Sequence, residues 1–304
     1  MSAKILFSTM AYEFLKKEII TLSGWETGNI FSKSFPDGEH YQRILTDVTN
    51  LDVILIGGTI DDVNTMELYD LAQGIVHGNA KSLSIIIPYF GYATMERAVE
   101  KGEIVKAKNR ALLFSSIPMC AEANKVYLMD LHAEGIPYYF DRDIRSTHIY
   151  CKSIVMDAAR ELAGTDFVLA ATDAGRAKWV ESLANELNVR SAFVYKHRSN
   201  KGETSITGVN ANVEGKKVII YDDMIRTGGS LMQAAVAYQE KGATKIYAIT
   251  THGLFTNNAL ARIEAQGIIQ KVISTNTHPA VFQQNSKLLK IKSVAGLIFE
   301  VLKQ

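Results

Sequence analysis

Short apolar runs separated by helical stretches recur along the whole chain, and that rhythm leaves few folds open. Ile5 to Ser8, Val53 to Ile56, Ser84 to Ile87 and Val126 to Met129 mark the first half; Phe167 to Ala171, Ala192 to Tyr195, Lys217 to Tyr221, Ile246 to Thr250 and Lys271 to Ser274 mark the second. Brief apolar runs bounded by helical patterns read as strands buried on both faces, so the chain predicts βαβ units and mostly parallel sheets. A length of 304 residues suffices for two cores of ordinary size. The similar size and rhythm of the halves suggest duplication of one α/β domain. The polar segment Asp141 to Thr147, DRDIRST, is the expected junction, and Val294 to Leu302 is expected to form a helix that packs back on one domain. The predicted division is therefore residues 1–145 joined by a C-terminal helix at 290–304, and residues 146–289.

Charge is almost balanced, with 33 basic against 32 acidic residues. That gives no electrostatic case for a nucleic-acid or membrane partner, so any anion site must be local. No apolar run approaches the length that spans a bilayer, and the N-terminus lacks the basic head and long apolar segment of a signal peptide. Cys120 and Cys151 are too far apart in sequence for a metal-ligand motif. A reduced, cytoplasmic protein without disulfides is expected.

The stretch VIIYDDMIRTGGSLMQA, residues 218–234, carries the most chemistry. Val218 to Tyr221 reads as a buried strand, and Leu231, Ala234, Ala235 and Tyr238 recur at helical spacing ahead of Gly242. Between them, Gly228 and Gly229 can turn successive N–H groups toward an anion at a helix N-terminus, with Thr227 and Ser230 adding hydroxyl donors. Asp222 and Asp223 stand at the strand's carboxyl end, where open α/β sheets hold ligands, and carboxylates accept hydrogen bonds from sugar hydroxyls. The turn suits a phosphate and the acids a ribose diol. An ordinary βα loop with two acids near an N-cap is the plainer alternative.

Other stretches add candidates. FPDGEHY, Phe35 to Tyr41, has a Pro-Asp-Gly turn flanked by acids and aromatics. IIIPYFGYATMER, Ile85 to Arg97, ends a buried strand in aromatics that could face a flat ligand or simply fill a core. Asp130 and His132 follow a strand in VYLMDLHAEG, where the imidazole could ligate a metal, bind a phosphate or serve structure. Asp173 in TDAGR suits Mg²⁺ held beside substrate phosphates, and equally suits a helix N-cap. The polar loop YKHRSNKGETSITG offers Lys196 and Arg198 as cations able to close over a charged transition state. No GxxxxGK[ST] phosphate loop occurs.

Taken in order, FPDGE, IPYFGYA, DLHA, TDAG, KHR, DDMIRTGGS, THGLF and TNT resemble the landmarks of the ribose-phosphate pyrophosphokinases over essentially the whole chain. The resemblance implies two duplicated phosphoribosyltransferase-like (type I) α/β domains. It implies transfer of the diphosphoryl group of ATP to the anomeric hydroxyl of ribose 5-phosphate, with Mg²⁺, in a homo-oligomer between dimer and hexamer. By it, His132 and Asp173 are metal-associated, and Asp222 and Asp223 hold the ribose hydroxyls. Arg226, Thr227, Gly228, Gly229 and Ser230 form the 5-phosphate loop. Phe35, Asp37, Glu39, Arg97 and His132 serve ATP; Lys196, Arg198 and His132 serve catalysis.

Three positions depart from the family pattern. Thr94-Met95 stands where the family has an Arg-Gln pair used by the nucleotide, leaving Arg97 as the nearest matching cation. Arg226 replaces an acid in the phosphate loop, which could admit a larger acceptor such as ADP-ribose. Arg176 replaces a second glycine after Asp-x-Gly. A non-catalytic regulatory homologue and a phosphoribosyltransferase are the competing functions.

Overall fold

The computed structural model describes residues 4–198 and 204–303, with the side chains of residues 196–198 and 204–207 outside that description. The chain divides into two compact units, one running to Tyr150 and taking back the segment from Ala295, the other spanning Cys151–Val294.

In the first unit the strands are β1 (Lys4–Ser8), β2 (Glu26–Thr27), β3 (Ile30–Ser34), β4 (His40–Ile44), β5 (Asp52–Ile56), β6 (Ser82–Ile87), β7 (Lys125–Met129) and β8 (Arg145–Ile149). Six of them form one sheet in the order β2-β1-β5-β6-β7-β8, every pair parallel, while β3 and β4 make a separate antiparallel hairpin. Its helices are α1 (Glu13–Ser23), α2 (Asp62–His77) and α3 (Lys106–Ser115), with the last helix of the chain added. Helix α2 shows how sequence sets an element. The Asp61 carboxylate accepts the Asn64 N–H at 2.8 Å as N-cap, and Thr65, Leu68, Leu71, Ala72 and Ile75 fall on one buried stripe. Helix α1 stops where Gly24 takes a left-handed φ of 68°. The central strands are buried on both faces, as continuous apolar runs require.

In the second unit, helices α4 (Lys152–Ala163), α5 (Ala177–Leu187), α6 (Gly229–Glu240) and α7 (Ala259–Gln266) flank the strands β9 (Val168–Ala171), β10 (Arg190–Arg198), β11 (Thr204–Val209), β12 (Lys217–Ile225), β13 (Lys245–Gly253), β14 (Ile269–Thr275) and β15 (Leu289–Lys292). The sheet order is β11-β10-β9-β12-β13-β14-β15, parallel except for the β10–β11 hairpin at the edge. The final helix, α8 (Ala295–Leu302), packs on α1 in the first unit, where Trp25 and Phe299 meet edge to face at 5.5 Å.

Three boundaries differ from the sequence-based expectation. Arg145 to Thr147 lie in β8, paired to β7, so the DRDIRST segment is in part a sheet strand and the first unit extends to Tyr150. Residues 289–292 pair with β14, so the second unit keeps them and only α8 returns. Strand β12 runs on to Ile225, because β13 continues beside it to Gly253; Asp222 and Asp223 are therefore within the strand. Edge strands such as β4 and β8 carry mostly polar residues that no apolar run announces.

The loop after β6 is pressed against the loop after β5. The Gly91 N–H donates to Thr59 Oγ1 at 2.6 Å, and a Cβ on Gly91 would stand 1.9 Å from the Thr59 carbonyl oxygen. Gly91→Ala is expected to force the two loops apart at a cost of about 1–3 kcal/mol. A thermal melt should fall by about 3 °C or more.

Candidate active site

The second unit builds the glycine turn between β12 and α6 from its strand and helix registers. Gly228 caps α6 in a left-handed conformation with φ of 74°, and Gly229 begins the helix. The first N–H groups of a helix have no carbonyl one turn earlier, so they face the space beyond its end. Leu231, Ala234, Ala235 and Tyr238 are all buried, as their spacing predicts. The Tyr238 hydroxyl donates to the Ala171 carbonyl at 2.9 Å, tying α6 to β9. Thr227, Ser230 and Arg226 are exposed. A second cation, Arg262 on α7, donates to the Thr227 carbonyl at 2.7 Å and braces the turn from behind. Nothing in the local sequence links residue 262 to this turn; only the packing of α7 does.

The acid pair is not left to itself. Asp223 is paired with Arg176 at 2.6 Å, with side chains only 4% and 17% exposed. Asp222 accepts from Thr172 Oγ1 at 3.0 Å. Burial, then the Asp223 charge and a hydrogen bond with Asp223, push the Asp222 carboxyl well above the usual range. Two carboxylates this close cannot both ionise cheaply. The Arg176 guanidinium pairs with Asp223, and Asp222 is the acid whose carboxyl is pushed up. Trp179 stacks on Tyr221 at 4.2 Å, and the Tyr221 hydroxyl meets Thr251 Oγ1 at 3.0 Å. Behind them, the THG and TNT stretches interlock. The hydroxyls of Thr275 and Thr277 donate to the Thr251 carbonyl at 2.6 and 2.8 Å, and His252 Nδ1 lies 2.8 Å from Thr277 Oγ1.

Asp173 caps the short 3₁₀ turn Ala174–Arg176, its Oδ1 accepting the Gly175 N–H at 2.9 Å. The N-cap alternative is thus realised. A carboxylate engaged in this way suits an ion that keeps waters and substrate phosphates as most of its ligands, which fits Mg²⁺. Among the described residues, no cluster of three or more His, Cys, Asp or Glu side chains could hold a metal unaided. The side chains of Lys196 and Arg198 lie outside the described residues; their backbone ends β10 opposite β11.

In the first unit the FPDGE stretch is the tip of the β3–β4 hairpin. Gly38 turns with φ of 95°, its N–H donating to the Phe35 carbonyl at 3.0 Å, and Asp37 Oδ1 accepts the Glu39 N–H at 3.1 Å. Phe35 is exposed, with Lys33 Nζ 4.8 Å from its ring centre. Strands β5, β6 and β7 are parallel neighbours, so the loops that follow them share the sheet's carboxyl edge. Two non-glycine residues there are left-handed, Tyr92 with φ of 61° and Asp130 with φ of 36°. Each such residue costs about 1–2 kcal/mol, and strain of this kind gathers at functional loops. His132 is exposed just beyond, where His148 Nε2 accepts the Leu131 N–H at 2.9 Å. Arg97 is 77% exposed and pairs with its neighbour Glu96 at 3.5 Å.

The acid pair makes stability depend on pH with a definite sign. A carboxyl whose folded pKa is raised stabilises the fold below its unfolded pKa, and that contribution is lost as pH rises through the folded value. Asp222→Asn is therefore expected to raise the melting temperature more at pH 8 than at pH 5. Asp223→Ala should do the opposite, lowering stability by about 3 kcal/mol because it removes the enclosed partner of the Arg176 guanidinium. Melts of both variants across that pH range check the pair.

Sequence and structure comparisons give the same assignment from both ends of the chain. Residues 4–117 match the N-terminal domain of ribose phosphate pyrophosphokinase, and residues 170–304 match the phosphoribosyl synthetase-associated domain. Over 302 residues the chain is 33% identical to ribose-phosphate pyrophosphokinase 2, chloroplastic, of Spinacia oleracea, covering 98% of this chain and 75% of that protein. Over 300 residues it is 32% identical to the ribose-phosphate pyrophosphokinase of Synechococcus elongatus, covering 98% and 89%. The crystal structure of phosphoribosylpyrophosphate synthetase from Mycobacterium smegmatis superposes with a TM-score of 0.87 at 26% identity, covering 99% of this chain and 97% of that one. With two α/β units, a glycine turn after paired acids and full-length similarity in hand, the chain belongs to the ribose-phosphate pyrophosphokinase family.

Proposed function

We propose that the protein transfers the diphosphoryl group of ATP to the anomeric hydroxyl of ribose 5-phosphate, giving phosphoribosyl pyrophosphate and AMP. The observation that carries this reading is the left-handed Gly228 turn opening α6 directly after an acid pair held by Arg176. The backbone of Thr227 to Ser230 receives the 5-phosphate, with Arg226 at its rim. Asp223, kept charged by Arg176, accepts from one ribose hydroxyl. Asp222, its carboxyl pushed up by burial and by the Asp223 charge, faces the second ribose hydroxyl. The pentose is thereby fixed through two hydroxyls and its phosphate, leaving the anomeric oxygen to attack.

Phosphoryl transfer needs little covalent help from protein, so positioning and fixed positive charge carry the rate. Lys196 and Arg198 are assigned to charge on the transferring group. Phe35, Asp37, Glu39, Arg97 and His132 are assigned to ATP, the exposed Phe35 offering a face to adenine. Asp173 and His132 are each assigned to Mg²⁺ bound with substrate phosphates; the ion would supply charge neutralisation. The exposed hairpin tip supports a homo-oligomer, between dimer and hexamer, in which Phe35 serves a neighbouring copy. Among the described residues no helix is long and apolar enough to cross a membrane, and a cytoplasmic location is the simplest assignment.

Purified protein given ATP, Mg²⁺ and ribose 5-phosphate should release AMP. Release only with ADP-ribose would move the acceptor while keeping the chemistry, and release with neither would defeat the proposal. Lys196→Ala should lower kcat by about 100-fold or more while changing the KM for ribose 5-phosphate little, because it acts on charge in the transition state. Equal losses in both would remove that role.

A further inference from the structure

The nucleotide side of the first unit has a cation problem. ATP brings several negative charges to the carboxyl edge of the β5, β6 and β7 strands. Thr94-Met95 are uncharged, and Arg97 stands 77% exposed with its Nε paired to Glu96. Two other cations do face this edge. Lys106 and Arg110 lie one turn apart on α3 and so share a face. Both sit over the ring of Tyr92, Lys106 Nζ at 4.7 Å and the Arg110 guanidinium at 5.0 Å from its centre. Tyr92 is the left-handed residue of the loop after β6, so the ring that carries the two cations is held in a strained backbone.

We propose that Lys106 and Arg110, set side by side on Tyr92, form the cationic subsite for the phosphates of ATP. The inference rests on the reading that the protein uses ATP, and it adds two cations of α3 to Arg97 on the nucleotide side. Three details support it. First, among the described residues the acid paired with this cluster is Asp62, which accepts from Arg110 Nη2 at 2.5 Å and from the Tyr92 hydroxyl at 2.7 Å. One carboxylate against two cations leaves an excess positive charge. Second, Asp62 is 69% exposed, so its pair with Arg110 is open to water and easily exchanged for another anion. Third, Arg110 reaches the exposed Asp62 through Nη2, the end of its guanidinium, while Lys106 has no ion pair among the described residues. A guanidinium beside an ammonium that forms no ion pair among the described residues matches the oxygens of a phosphate chain. The opening turn of α3 holds no acid to oppose an incoming anion.

A purely structural clamp between α2 and α3 makes a different prediction, and the test is built on that difference. AMP release is measured with ATP varied at saturating ribose 5-phosphate. Lys106→Ala and Arg110→Ala should each raise the KM for ATP about tenfold or more, with the KM for ribose 5-phosphate nearly unchanged. Lys108→Ala removes an exposed charge from the same helix and should leave both constants alone. Asp62→Asn removes the competing anion and should tighten ATP. If Asp62→Asn weakens ATP as much as Arg110→Ala does, the cluster is a clamp and the proposal falls. It falls too if Lys106→Ala and Lys108→Ala have equal effects. Should Arg110→Ala not fold, Arg110→Gln keeps the packing and carries the same expectation. If wild-type protein releases no AMP, the activity is wrong, and calorimetric titration of ATP with Mg²⁺ into wild type and variants still decides the subsite. Equal dissociation constants throughout would overturn it.

Discussion

The second unit turns on one buried ion pair. Asp222 and Asp223 are consecutive, and two adjacent carboxyls on a sheet strand repel one another when both are ionised. The Arg176 guanidinium, 2.6 Å from Asp223, breaks that symmetry. Asp223 carries the ion pair, and the Asp222 carboxyl beside it is pushed up. A charge enclosed to this degree is costly unless paired, so Arg176 and Asp223 constrain each other's position. The 3₁₀ turn that presents Arg176 is capped by Asp173, which joins the loop after β9 to the acids of β12. These neighbouring parallel strands thus bring a capping acid, a cation and two further acids to one edge of the sheet.

Much of this was legible in the sequence because central parallel strands are apolar on both faces. Val53 to Ile56, Ser84 to Ile87 and Ile246 to Thr250 announce themselves without reference to tertiary structure, and so does the stripe of Leu231, Ala234, Ala235 and Tyr238. Glycine chemistry made the turn before α6 equally readable, since a left-handed residue before a helix is what Gly228 permits. The edge strands were not readable. β8 is RSTHI and β4 is HYQRI, segments whose partners come from strands and not from an apolar face.

Nor could sequence spacing find the partners of the site. Arg176 meets Asp223, and Arg262 meets the Thr227 carbonyl, only because helices and strands far apart in the chain are neighbours in the sheet. The same limit applies to Lys106 and Arg110. As letters they are two cations in a helix; their stacking on Tyr92 depends on the loop after β6 being turned left-handed and locked against Thr59 by Gly91. In each case the residue type was visible, and its role was fixed by a contact that no periodicity encodes.

Helix α8 gives the molecule an unusual order of assembly. Lys4 of β1 reaches the Leu302 carbonyl, and Trp25 rests on Phe299, so the first unit contains residues from both ends of the described chain. During synthesis the stretch from Cys151 to Val294 is complete before α8 emerges, and domains tend to fold as units as they leave the ribosome. The unit begun first is therefore finished last. Until that helix arrives, the face of α1 that receives it stays uncovered, and a nascent chain halted short of Ala295 would carry a sound second unit beside an open first one.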